Sequence, residues 1–162
     1  MRAVPSPWTT VFAAVFLAAS VDAQTATQVV QFQVTAVNQI GVAGAPAPLV
    51  ITSATPGSAP ASVTASGGSF AITTNEANKK ITASLDEPLP TGVRLEISLA
   101  APQGAASAGD VALGTAAADL VTGISTIAAS ALPITYRLSA DATVHMPAPE
   151  TRTVTFTIVS GS

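Results

Sequence analysis

The chain has 162 residues, a formal net charge of −3, a charged fraction of only 9% and no cysteine. That length suits one domain, while the missing thiols exclude a disulfide framework, thiolate metal sites, a cysteine nucleophile and lipid attachment at cysteine. With six lysines and arginines in all, of which only Lys79-Lys80 are adjacent, no basic surface for nucleic acid is expected.

Residues 1–23 read as a secretory signal. Arg2 supplies a positive start, Thr10 to Ala19 a short apolar core, and Val21-Asp22-Ala23 small residues suited to cleavage. The core is shorter than the roughly 20 apolar residues a membrane helix needs. No later run is long enough either, so no membrane span is expected once the leader is removed. The expectation is an exported protein, secreted or held at the cell surface, with residues 24–162 as one domain and Gln24 as its first residue.

From Gln28 to Val37 apolar and polar residues alternate. Val30, Phe32, Val34 and Ala36 share one face, and Gln31, Gln33 and Thr35 the other. The pattern predicts a strand ended by Asn38-Gln39, with Ile40 to Ala43 continuing along a neighbouring edge. Gly44 to Pro48 reads as a loop and Leu49 to Thr52 as a short strand. Ser53 to Ser69, rich in Pro, Gly, Ser and Ala, is expected to be a long loop with one short strand near Ala61 to Ala65.

Phe70 to Ala100 has the clearest pattern and predicts a three-stranded meander. Phe70, Ile72 and Thr74 lead into a polar turn at Asn75–Asn78, and Ile81, Ala83 and Leu85 line the next strand. Pro88 to Gly92 turns the chain again, before Val93, Leu95, Ile97 and Leu99 alternate with Arg94, Glu96 and Ser98. Ala101 to Ala118 is a small-residue segment with a short strand at Asp110 to Leu113. A single helical turn at Thr115 to Leu120 is compatible with its alanines, and Leu120 to Ile124 reads as a short strand or the end of that turn. Ser125 to Ala131 is a link. Pro133 to Ala140 alternates, Ala142 to Pro149 is a loop or edge stretch, and Arg152 to Val159 places Val154, Phe156 and Ile158 inward. About 7–9 short strands with no long helical pattern predict an all-β, antiparallel, immunoglobulin-like sandwich. A closed barrel is the alternative.

No residue set announces a reaction. His145 is the single histidine and lies among Met146, Pro147 and Pro149, with no Gly-x-Ser-x-Gly elbow elsewhere in the chain. The acids Asp86, Glu87, Glu96, Asp110 and Asp119 read as surface charges rather than a glycosidase pair. One histidine without cysteine leaves no ordinary zinc set, no calcium loop is present, and Gly67-Gly68 lacks the lysine and helix of a phosphate loop. No cofactor or metal is expected. The row Thr153, Thr155 and Thr157 suits exposed strand positions and lacks the long repeats of an ice-binding face. Trp8 falls in the leader, so the remaining chain has no tryptophan for a sugar platform.

An exported, cysteine-free sandwich that opens on Gln28 to Val37 and closes on Arg152 to Val159 has a familiar layout. Between them stand Thr73-Thr-Asn-Glu-Ala-Asn-Lys-Lys-Ile81 and Pro90-Thr-Gly-Val-Arg-Leu95. In architecture it resembles bacterial fimbrial subunits, notably the cysteine-free pilins, and wall-associated β-sandwich modules. The resemblance implies a non-enzymatic structural or adhesive part at the cell surface that associates with itself or with other surface proteins. The alternative is an extracellular module that binds polysaccharide or another ligand. Within the assembly reading, Val30, Phe32 and Val34 form a candidate strand-exchange segment, since a terminal alternating strand can complete the open edge of a neighbour. The other possibility is pairing within its own chain.

Overall fold

The computed structural model describes residues 24–161. The expected leader and its cleavage site lie outside them. The chain divides into two units at Gln33/Val34, and every strand belongs to the second. In the first unit, residues 24–33 carry no strand and are exposed.

The second unit is an all-β sandwich of two antiparallel sheets, with no helix among the described residues. Its strands are β1 (Asn38–Ala43), β2 (Val63–Thr74), β3 (Lys79–Leu85), β4 (Val93–Leu99), β5 (Ala106–Ser107), β6 (Val111–Ala112), β7 (Ala118–Ile124), β8 (Ile127–Ala140) and β9 (Val154–Ser160). One sheet has the order β1-β2-β8-β4-β6 and the other β5-β7-β3-β9. A sheet with one apolar face must bury it, and two such faces packed together make the core. Phe70 and Ile72 of β2, Ile97 and Leu99 of β4, and Ile134 and Tyr136 of β8 form one side of it. Ile81, Ala83 and Leu85 of β3 with Leu120, Val121 and Ile124 of β7 form the other.

Phe70 to Ala100 is not a meander within one sheet. β2 and β4 belong to the first sheet and β3 to the second, so both turns cross between layers. Alternation reveals which face of a strand is buried and carries no information on which strand lies beside it. Both turns are nevertheless where the residue types place them. Asn78 has φ 51° at the end of the first, a left-handed conformation that asparagine tolerates better than most residues. In the second, Gly92 has φ 81°, and a Cβ there would stand 2.8 Å from Val144 Cγ2.

Several boundaries differ from the expectations. β2 begins at Val63, so the long loop ends earlier, and the strand runs through Gly67-Gly68 with a register shift between Ser66 and Gly68. Gly67 serves packing: a Cβ there would sit 3.0 Å from the carbonyl oxygen of Ala45, so the bulge lets the preceding loop approach the backbone. Leu49 to Thr52 forms no strand, and the only local pairing nearby is the bridge Ala54–Pro60. The helical turn at Thr115 to Leu120 is absent, because β7 occupies Ala118–Ile124. The expected link Ser125 to Ala131 is mostly strand: β8 starts at Ile127 and pairs with β2 across its length, passing a bulge where Ala131 has φ 56°.

The largest departure is at Gln28 to Val37, where no strand forms. Instead of entering a core, Val30, Phe32 and Val34 are 70%, 93% and 81% exposed. The strand lies at Asn38–Ala43 and pairs with Thr74 to Ser69: Ile40 to Ala43 run along an edge as expected, while Asn38-Gln39, where the sequence suggested a break, open the strand. β2 ends at Thr74 and turns away towards the other sheet, so the ladder beside β1 has no backbone to continue on. A strand requires a partner as well as a pattern.

Candidate functional site

The strand edges form the candidate site. β1 and β6 are the edges of one sheet, and β5 and β9 those of the other. β5 and β6 have two residues each, whereas β1 has six and β9 seven. β1 and β9 lie side by side, so the two long edges share one side of the sandwich.

Hydrogen bonds at the strand ends fix which backbone groups on that side are free. Asp86 N–H donates to Thr153 O at 3.1 Å, and Gly161 N–H donates to Asn78 O at 2.6 Å. In an antiparallel pair, hydrogen-bonded and non-hydrogen-bonded positions alternate. Carried along the β3–β9 register, this turns the backbone groups of Thr155, Thr157 and Val159 towards β3. Those of Val154, Phe156 and Ile158 therefore point outward, and no strand among the described residues meets them. The same reasoning applies to β1. Asn75 N–H donates to Val37 O at 3.2 Å, which leaves the backbone groups of Asn38, Ile40 and Val42 facing outward.

The side chains follow the same alternation. Val154, Phe156 and Ile158 face the core yet are only partly buried, while Thr155 and Thr157 lie exposed on the outer face. Across from them, Ile40 also packs against the core with part of its surface open, whereas Val42 is 48% exposed. One side of the sandwich thus combines outward-facing backbone groups with a row of incompletely covered apolar side chains.

An asparagine clamp sets where the chain enters this region. Asn75 Oδ1 accepts from Val37 N–H at 2.8 Å, and Asn75 Nδ2 donates to Thr35 O at 2.8 Å. Thr74 Oγ1 donates to Asn38 Oδ1 at 2.7 Å, and Asn38 Nδ2 donates to Glu76. That hydrogen bond, with Lys79 3.0 Å away, holds the Glu76 carboxyl below its ordinary pKa. β1 therefore begins at a fixed point, even though the residues before Thr35 join no ladder. Sequence reading marked Asn75 as a turn residue and Asn38 as a breaker. That the two ends meet follows from the β1–β2 pairing, which local pattern does not encode.

The remaining candidates do not converge. His145 is exposed in the loop after β8. Asp86 caps the start of β9: its Oδ1 accepts from Thr153 N–H at 3.0 Å and from Glu87 N–H at 2.9 Å, which lowers its pKa. Glu96 lies between Arg94 at 2.8 Å and Arg137 at 3.6 Å on the outer face of the first sheet, and Asp119 pairs with Lys80 at 3.0 Å. Among the described residues no cluster of three or more His, Asp or Glu side chains is placed to hold a metal. A shallow depression of about 260 Å³ over Gly41 and Ala71 is below the usual size range of small-molecule sites.

No protein-family profile matches the chain, and no curated protein matches its sequence. No helix among the described residues is long and apolar enough to cross a membrane.

Proposed function

We propose that this protein is an exported, non-enzymatic structural subunit of the fimbrial or adhesin-like kind, which assembles at the cell surface by strand exchange between copies. One observation carries the reading. Val30, Phe32 and Val34 alternate with polar residues on a segment that pairs with no strand among the described residues and leaves those side chains 70–93% exposed. A single exposed apolar residue is ordinary, but a row of them at strand spacing is what a sheet edge can bind. The leader pattern at residues 1–23 supports export, and the two long free edges supply places for such a strand to pair.

Size-exclusion chromatography of the exported protein tests this, with the triple variant Val30→Ser, Phe32→Ser and Val34→Ser alongside. The parent protein is expected to elute as multimers at high concentration and the variant as a monomer that melts at the same temperature as dilute, monomeric parent protein. A parent protein that stays monomeric at every concentration overturns the proposal.

A further inference from the structure

We infer that the acceptor of the Gln28–Val37 segment is the free edge of β9 in a second copy of this chain, the incoming strand lying in the side of the sandwich between β9 and β1. The inference rests on the assembly reading above and adds the acceptor site to it.

Four edges are available, and they are not equivalent. β5 and β6, with two residues each, offer too little backbone for a strand to pair along. β1 offers the outward groups of Asn38, Ile40 and Val42, of which Ile40 packs against the core, Val42 on the same face is 48% exposed, and Asn38 is polar, so its apolar row has two members. β9 offers outward backbone groups at Val154, Phe156 and Ile158, and the same residues carry the incompletely buried apolar row. At β9 free hydrogen-bonding groups and incompletely covered apolar side chains coincide at three successive inward positions, Val154, Phe156 and Ile158, against two at β1.

The occupant is identified by its pattern. A strand on the β9 edge must present apolar residues towards the core at every second position and polar ones beside Thr155 and Thr157. Val30, Phe32, Val34 and Ala36 meet the first condition, and Gln31, Gln33 and Thr35 the second. The segment is exposed in its own chain. With the apolar side chains directed inward, Gln33 of the donor stands next to the threonine row of the acceptor, and both surfaces face water.

Disulfide trapping between single-cysteine variants locates the edge, and the absence of native cysteine makes each thiol report one position. Directly opposed residues on neighbouring strands have Cα atoms about 4.5–5.5 Å apart, within the roughly 4.4–6.8 Å that a disulfide spans. Gln33→Cys protein is mixed with Thr155→Cys or Thr157→Cys protein, and separately with Gly41→Cys protein as the β1 probe. A Cβ at Gly41 meets nothing within 4 Å, and all four positions are exposed, so the fold tolerates each change. The expected result is a mixed disulfide with the β9 variants and none with Gly41→Cys. Amide hydrogen exchange on the unmodified protein, with excess synthetic Gln28–Val37 peptide, is expected to slow at Val154, Phe156 and Ile158 and stay unchanged at Ile40. Multimers that cross-link through Gly41→Cys, or through neither edge, overturn the β9 assignment while leaving strand-segment assembly standing. Absence of multimers, or a monomeric Gln33→Cys/Thr157→Cys double variant that closes its disulfide within one chain, overturns both.

Discussion

The two lateral sides of the sandwich are finished differently. On one, β5 and β6 end the sheets with two residues each, and Leu113 beside them is only 6% exposed. On the other, β1 and β9 end the sheets with six and seven residues, and Val154, Phe156, Ile158 and Ile40 remain partly uncovered. Very short edge strands are one way proteins prevent unwanted pairing. The long edges at β1 and β9 lack that protection, and β9 carries no lysine or proline to blunt it. Edge protection is therefore asymmetric in this fold, and the unprotected side is the one suited to receive a strand.

Three phenylalanines make the first way to break that comparison. Phe70 is 1% exposed, Phe156 is partly buried on the open side, and Phe32 is 93% exposed. In dilute, monomeric protein Phe70→Ala is expected to cost about 3–5 kcal/mol through lost burial and a cavity. Phe156→Ala is expected to cost about 1–2 kcal/mol, because part of its apolar surface already meets water. Phe32→Ala is expected to change stability by no more than about 0.5 kcal/mol. Urea denaturation measures all three. Equal losses for Phe70 and Phe156 would show the β9 side to be as well covered as the centre.

A smaller effect concerns how β9 is anchored. The hydrogen bond from Thr153 N–H, followed by that from Glu87, holds the Asp86 carboxyl below its ordinary pKa of 3.8. Because the folded-state pKa lies below the unfolded one, the bonded carboxylate contributes stability above pH 3.8, and that contribution is lost as pH falls through the folded-state value. The urea midpoint should therefore fall on acidification below the ordinary carboxylate range. Asp86→Asn, which keeps an acceptor but does not ionise, should reduce that slope and change the neutral-pH midpoint only slightly. An unchanged acid slope in the variant would mean that the group does not anchor β9.

Another small effect is expected on β4, beside the short edge strand β6 and away from the long edges. Glu96 on β4 pairs with Arg94 and with the cross-strand Arg137, whose side chains are 62% and 47% exposed. The Glu96 side chain itself is only 12% exposed, but both arginines reach solvent, which screens the pairs, so Glu96→Ala should cost about 1 kcal/mol, with the cost shrinking in high salt. A larger, salt-insensitive loss would show this face to be structurally coupled to the core.

The fold class was legible in the chain because a two-layer sandwich needs each strand to bury alternate residues. Ile81, Ala83 and Leu85, then Ile97 and Leu99, and Ile134 and Tyr136 all show that alternation and all lie in the core. The same rule misread Gln28 to Val37, where the alternation is as regular but β2 offers no backbone beyond Thr74 to pair with. It equally misplaced Phe70 to Ala100 in one sheet, since consecutive strands with inward apolar faces look identical whether they pair or cross between layers. The candidate site divides along that line. Residues Val30, Phe32 and Val34 are readable as a strand-like apolar row from their spacing alone. Which strands lack neighbours, and therefore that β9 holds outward-facing backbone groups beside half-covered Val154, Phe156 and Ile158, was decided only by tertiary pairing. Side-chain periodicity is local to a strand, whereas an open edge is a property of the whole sheet.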